Sequence, residues 1–359
     1  MENKVIIGVI GCGCIANSAH IPSYKNNPDN RIKYFCDIIP ERAEKAAAAY
    51  KAEGHGDAIV CTDYHDILAD PEVDAVSICT PNRMHSIIAI DALHAGKHVL
   101  CEKPAARIYS EALEMQKAQH ETGLTLNIGV VNRFNTAVNK IKDMIDADML
   151  GEIYHVYVSC RRYRGIPGLG GAFTTKAIAG GGALIDCGVH FLDIVMYCTN
   201  DPEPITASGQ AFSKLGVDMK NYVYESMWSE ETKDLNGTFD VDDFTTAFIR
   251  TSGPTITVNC GWDQNIGESD GYIDFLGTKG GIRLQYGGKF KYWTVRDGKL
   301  YNEEPAFEAT NMFQNEIDAF VRCVRSGERL PSHIDRNILT SKIMQGIYDS
   351  SESGEEIKF

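Results

Sequence analysis

Val5-Ile-Ile-Gly-Val-Ile10, running directly into Gly11-Cys-Gly-Cys-Ile-Ala16, decides the fold of this chain. The first six residues form an apolar, largely β-branched run of strand length. Only Lys4 precedes them as a positive charge and they end in a glycine turn, so they read as a buried strand, not as the core of a signal peptide. Gly11 permits the tight turn, Gly13 lets the backbone approach a pyrophosphate, and small Ala16 lets the following helix pack closely on the strand. Gly11, Cys12, Gly13, Cys14 and Ile15 then lead into a helix N-terminus whose N–H groups and dipole attract phosphate. Asp37 ends the next strand pattern, where a carboxylate binds the adenosine ribose hydroxyls and repels a 2′-phosphate. The expected cofactor is NAD rather than NADP, although Arg42 in the following turn can receive a phosphate.

Strand and helix signals alternate outward from this turn. Arg31–Cys36, Val73–Cys79, Lys97–Cys101 and Thr125–Gly129 read as strands. Glu41–Tyr50, Ser86–Ala95 and Ser110–Glu121 read as helices, the last two ending in Gly96 and Gly123. Near-continuous apolar strands joined by helices imply a parallel sheet covered on both faces, a doubly wound nucleotide domain over residues 1–130. Beyond a helix at Asn135–Ala147 the pattern changes to longer alternating segments. Glu152–Arg161, Thr245–Thr251, Thr255–Gly261, Tyr272–Leu276 and Lys289–Arg296 predict a large, mainly antiparallel sheet. Residues 131–359 are therefore expected to form an α+β substrate and oligomerisation domain, with a C-terminal helix, Asn311–Ser326, laid on that sheet. Asp218–Asp243 is acidic and aperiodic and reads as an excursion or flap.

Composition narrows the function. A length of 359 residues favours two domains, and 43% hydrophobic with 23% charged residues is a soluble globular balance. Net charge of −14 argues against a nucleic-acid or anionic-membrane partner, both of which select a basic face. The 11 cysteines include Cys36, Cys79 and Cys101 at strand ends, where a thiol acts as a small hydrophobe. Cys12-x-Cys14 has no matching pair at zinc spacing, so neither a metal nor a disulfide framework is expected, and a reducing cytoplasm is.

The candidate chemistry lies in three further stretches. Ala183–Cys198 reads as a helix that is apolar nearly all round, with Asp186, His190 and Asp193 as one polar stripe at i, i+4 and i+7. Buried carboxylates and imidazoles need partners or a task, and mutual satisfaction in a core is the plainer of the two. Thr80-Pro-Asn82-Arg-Met-His85 follows a strand at the ligand-binding edge of an open α/β sheet, and Asn82 is placed to cap the helix after it. Glu102-Lys103-Pro104 ends another strand at that same edge.

These stretches together resemble the glucose–fructose oxidoreductase / inositol dehydrogenase (Gfo/Idh/MocA) family. So do His20-Ile-Pro22, Val241-Asp-Asp-Phe244, Gly277-Thr-Lys-Gly280 and Ser350-Ser-Glu-Ser-Gly354, and the likeness spans essentially the whole chain. It implies a Rossmann domain, a second domain whose open sheet serves as a homo-oligomer interface, and nicotinamide-dependent redox chemistry on sugars and polyols. Lys103, Asp186 and His190 match the family's catalytic set. Neutral His190 suits a proton acceptor, Lys103 can polarise the reacting oxygen, and Asp186 can orient the imidazole or grip a hydroxyl. Glu102 and Pro104 are implied to fix the lysine beside the cofactor, with Thr80, Asn82 and His85 on the cofactor side. Asn132 and Arg133 match a position near the site mouth.

For the substrate, Arg161-Arg-Tyr-Arg164-Gly-Ile-Pro and Phe173-Thr-Thr-Lys176 resemble members that oxidise C-3 of a glucoside to a ketone, with Arg164 and Lys176 as candidate sugar contacts. Leu169 and Ala172 stand where that group carries tryptophan, which implies a roomier pocket or a different aglycone. Inositol dehydrogenase, a glycosidase using tightly bound NAD, and a non-catalytic nucleotide sensor stay open beside this reading.

Overall fold

The computed structural model describes residues 4–225 and 233–359. Around β1 (Val5–Ile10) are arranged β2 (Asn30–Cys36), β3 (Ile59–Cys61), β4 (Ala75–Ile78), β5 (His98–Glu102) and β6 (Leu126–Gly129). Their order is β3-β2-β1-β4-β5-β6 and every pairing is parallel. This is the doubly wound Rossmann order, which reverses direction between β1 and β4 and opens a ligand crevice at the strands' carboxyl ends. Ile7, Val9, Ile32, Phe35, Ala75 and Leu100 are buried at its centre, each large apolar side chain contributing roughly 1.5–3 kcal/mol.

The helix Met312–Ser326 belongs to this first unit. Its Ile317, Phe320 and Val321 pack into the cluster built on Val5, Ile7 and Val9, and not on the antiparallel sheet as the sequence suggested. An amphipathic stripe shows that a helix has a buried face but not which sheet buries it. The first compact unit accordingly comprises residues 1–106, 110–134 and 311–338. The second comprises 107–109, 135–310 and 339–359, so a single cut after residue 130 does not describe either.

Among the described residues the second unit contains a nine-stranded sheet. Its strands are β7 (Ile153–Arg161), β8 (Pro204–Phe212), β9 (Phe244–Thr251), β10 (Thr255–Gly261), β11 (Asp270–Gly277), β12 (Gly280–Gln285), β13 (Lys289–Arg296), β14 (Lys299–Glu303) and β15 (Ile357–Lys358). The order is β14-β13-β12-β11-β7-β10-β9-β8-β15, antiparallel except for the β7–β10 pair. Strand alternation sorts whole rows by face. The row Ile249, Ile256, Val156, Phe275, Ile282 and Tyr292 is buried, whereas the neighbouring row runs Phe248, Thr257, Tyr157, Asp274, Arg283 and Lys291. Of the acidic excursion expected at Asp218–Asp243, residues 226–232 lie outside the described residues.

Against the buried face lies the apolar helix read from the sequence. It opens as a π-helical turn, Leu184–Gly188, and continues as the α-helix Val189–Cys198. Among the described residues it falls in the one stretch long and apolar enough to cross a membrane, and 83% of that window is buried as a core helix. Its start is fixed by Asp242. One carboxylate oxygen accepts Gly182 N–H at 2.7 Å and the Tyr348 hydroxyl at 2.7 Å; the other accepts Leu184 N–H and the Thr245 hydroxyl, both at 3.0 Å. Gly182 is obligatory there, because a Cβ would stand 1.8 Å from the Asp242 carbonyl oxygen. Replacing Asp242 with alanine strands four buried donors, so Asp242→Ala is expected to cost about 2–4 kcal/mol, read as a lower urea midpoint. A loss under about 0.5 kcal/mol would show that other groups hold this helix.

Candidate active site

In the first unit the glycine turn is built from both sides. Gly11 has φ of 91°, and a Cβ there would come within 2.7 Å of the Cys79 carbonyl, so only glycine fits. Gly13 differs: a Cβ there would meet nothing within 4 Å, so neither packing nor backbone strain accounts for it. Its open side is the space that a pyrophosphate needs, and the fit to a dinucleotide rests on this cradle. Asp37 is buried at the end of β2, accepting Cys12 N–H at 2.8 Å through one oxygen and Ile39 N–H at 2.9 Å through the other. Arg42 is exposed in the first turn of the helix Pro40–Ala52. Cys14 is exposed and Ile15 half-buried at the start of the helical run.

The loops after β4 and β5 are tied together by His85. Its ring is buried, with Nδ1 2.7 Å from the Pro104 carbonyl and Nε2 2.8 Å from the Thr80 carbonyl. Burial pushes this imidazole below its ordinary pKa against the pull of the two carbonyls, so the neutral ring donates to one of them at a time. Asn82 opens the short 3₁₀ turn Asn82–Met84, which Pro81 precedes and the helix His85–His94 follows. Glu102 is buried, with Oε2 accepting Lys103 N–H at 3.1 Å and Oε1 2.7 Å from His20 Nε2. Burial would raise this carboxyl, but the His20 hydrogen bond and charge bring it below its ordinary value. Arg133 is only 1% exposed and donates to the Pro331 carbonyl at 2.7 Å. Its neighbour Asn132 is buried as well.

In the second unit Asp186 and His190 part company with Asp193. Over Ala183–Cys198 all side chains are buried except Asp186, His190 and Tyr197, which are half-buried. Asp193 is 1% exposed and accepts the Thr340 hydroxyl, so it serves the core. The π-helical turn breaks the even i, i+4, i+7 stripe, because it shifts the angular register of every later residue in the helix. Asp186 Oδ2 accepts the indole N–H of fully buried Trp262 at 3.0 Å, and the Arg162 guanidinium is among the charges it interacts with. The His190 ring lies 6.5 Å from the Tyr286 ring, which itself stacks on Phe191 at 4.4 Å. Arg164 is committed inside the unit, to Asn265 at 2.6 Å and to Asp263 at 3.7 Å. Lys176 pairs with Glu352 at 3.1 Å on the surface. Leu169, expected to border a roomier pocket, is buried in the core.

Three contributors carry no assignment from the sequence alone. Asn17 Nδ2 donates to the Cys12 and Gly13 carbonyls at 2.7 and 2.8 Å and so holds the cofactor turn in shape. Trp262 pins Asp186, and His20 stands behind Glu102. The asparagine one helical turn past the glycines is a legible signal; the indole arrives from a distant strand end, and nothing local announces it.

The first unit is thus an NAD-binding Rossmann domain of the oxidoreductase kind. The family model described as "Oxidoreductase family, NAD-binding Rossmann fold" matches residues 5–130, and the "GFO/IDH/MocA C-terminal domain" matches residues 138–283. The chain belongs to the Gfo/Idh/MocA family. It is 28% identical over 355 residues to the D-glucoside 3-dehydrogenase of Escherichia coli K12, covering 98% of this chain and 97% of that protein. Its fold superposes on levoglucosan dehydrogenase in complex with NADH and levoglucosan, with a TM-score of 0.84, 21% identity, and 99% of each chain covered. Aldose-aldose oxidoreductase from Caulobacter crescentus, complexed with glycerol, gives a TM-score of 0.80 at 22% identity, over 99% of this chain and 100% of that one.

The contrast between the two glycines is testable. Gly13→Ala adds a methyl group to open space, so the unfolding free energy should stay within about 0.5 kcal/mol of the parent. NADH affinity, followed by nicotinamide fluorescence, should fall roughly tenfold or more. Unchanged affinity would remove Gly13 from the cofactor cradle.

Proposed function

We propose that this protein is an NAD-dependent dehydrogenase of a sugar, oxidising a secondary ring hydroxyl, C-3 of a glucoside, to a ketone. The observation that carries the reading is the helix Val189–Cys198 with its preceding turn, whose polar side chains at Asp186 and His190 alone interrupt an otherwise buried surface before Tyr197. Full-length similarity to a D-glucoside 3-dehydrogenase supports the substrate class. Asp37, buried at the end of β2, supports NAD over NADP, since a carboxylate after the second strand of this fold would repel a 2′-phosphate. Bound nicotinamide would take the hydride from the carbinol carbon. His190 accepts the hydroxyl proton, Lys103 holds the reacting oxygen and stabilises its developing charge, and Asp186, gripped by Trp262, orients a neighbouring group. Asn132, Arg164 and Lys176 are weaker candidates for sugar contact, because burial or ion pairing already occupies them.

The outward row of the nine-stranded sheet supports a homo-oligomer. Tyr157 is 46% exposed in mid-strand, beside Thr257 and Asp274, on the face opposite the buried row.

The decisive experiment incubates the protein with glucosides, free sugars and inositols, catalytic NAD and a sacrificial keto-sugar acceptor, with products read by mass spectrometry. A glucoside that loses two hydrogens and keeps its aglycone is the expected product. Released aglycone with the sugar's redox state unchanged would replace this reading with a cofactor-assisted glycosidase, and an oxidised inositol with a polyol dehydrogenase. Lys103→Ala and His190→Ala should each lower kcat/KM by about a hundredfold or more while NADH still binds. Full activity in both would overturn the assignment. Tyr157→Glu should shift the protein to a smaller species in sedimentation velocity; an unchanged mass places the interface elsewhere.

A further inference from the structure

His20, from the His20-Ile-Pro22 stretch, has no role in the reaction above, yet it is one of the most buried polar groups of the first unit. It ends the π-helical turn Ala16–His20 that follows the cofactor turn, and both its nitrogens are engaged: Nδ1 lies 2.8 Å from Ser77 Oγ and Nε2 2.7 Å from Glu102 Oε1. Ser77 sits in β4 and Glu102 ends β5, so the ring ties two strand ends to the helix of the cofactor turn. Glu102 passes the restraint on, because its other oxygen takes Lys103 N–H at 3.1 Å.

Beside this pair lies a second carboxyl that nothing in the unit explains. Glu316, on Met312–Ser326, is 1% exposed, and neither of its oxygens has a hydrogen-bond partner among the described residues. Its helix packs on the Ala16–His20 turn, on Ile21–Asn26, on β1 and on Val131–Phe134. The ionisable groups that reach it from these and neighbouring elements are His20, Tyr24 and Glu102; β1 carries none, and Arg133 turns a guanidinium nitrogen to the Pro331 carbonyl. Two buried carboxylates beside one imidazole cannot both ionise cheaply. Burial and the neighbouring Glu102 push Glu316 from its ordinary 4.5 up to about 8, whereas burial of His20 is outweighed by Cys79 and Glu102, which hold the imidazole well above its usual range.

We propose that His20, Glu102 and Glu316 form the positioning device of Lys103: the imidazole fixes the Glu102 carboxylate, Glu102 fixes the Lys103 backbone, and Glu316 couples that fixing to pH. The inference rests on the reading that Lys103 acts on substrate. His20 is a positioning residue in this scheme, since it reaches the substrate only through Glu102 and Lys103.

The test uses the full chain with NADH bound. Lysines are reductively ¹³C-methylated and the Lys103 signal is identified by its loss in Lys103→Met. In the parent the Lys103 signal should move in a step near pH 8, the titration of Glu316, and the step should vanish in Glu316→Gln. His20→Leu should lower kcat roughly tenfold or more, with NADH affinity held within about twofold, and His20→Gln, which can still donate to Glu102, should recover most of it. Stability supplies a second readout if His20→Leu does not fold. The folded-state pKa of Glu316 is raised, so its contribution is complete below 4.5 and is lost as pH rises through about 8. Glu316→Gln should therefore gain stability over the parent progressively across that window. A Lys103 signal without the step, or parent-like kcat in His20→Leu, overturns the proposal. Activity retained in Lys103→Met would overturn the functional reading instead, while the step in the parent signal would still decide the positioning device.

Discussion

A buried carboxylate that accepts backbone N–H groups beside a glycine turn is the interaction on which each unit depends. Asp37 does this at the cofactor turn and Asp242 at the start of the Asp186–His190 helix. In both places glycine lets main chain approach main chain: Gly11 meets the Cys79 carbonyl and Gly182 the Asp242 carbonyl. N–H groups exposed at a helix start cost free energy if buried unpaired, and a charged acceptor satisfies them more strongly than a neutral cap. The carboxylates are supplied from the end of β2 and from the residues just before β9, so each helix forms where it does only once a neighbouring strand is in place.

The same economy explains how chemistry is exposed on a buried element. A helix as apolar as Ala183–Cys198 is covered by its sheet almost entirely, and the π-helical turn at its start displaces Asp186 from the register of an ideal helix. Trp262 then takes one Asp186 oxygen, and the neighbourhood of Tyr286 and Phe191 flanks His190. Asp193, three residues further on, is sealed inside with Thr340. One stripe in the sequence thus divides into a solvent-reachable pair and a core carboxylate.

Much of the first unit is legible because its strands are short, β-branched runs bounded by glycine, for which burial on both faces leaves few alternatives. Val5–Ile10 matches its sequence reading to the last residue. Ile59–Cys61 is not legible because a three-residue edge strand carries no periodicity, nor is Pro204–Phe212, whose proline, glycine and polar residues mimic a loop. The helix Ile334–Ser353 is nearly uniform around its axis, so no apolar stripe marks it. Met312–Ser326 announces itself as a helix, but its partner sheet lies beyond what its stripe can specify.

What the sequence determined by itself is what local chemistry can encode: the strand–glycine–helix cofactor turn, the parallel-then-antiparallel order of elements, and the residue types at 103, 186 and 190. Folding alone buries Arg133, brings Trp262 to Asp186, and buries Glu316 within electrostatic reach of the His20–Glu102 pair in the first unit. Those contacts join residues tens to hundreds of positions apart. Their energies come from desolvation and hydrogen-bond geometry, which exist only after the chain has closed around them.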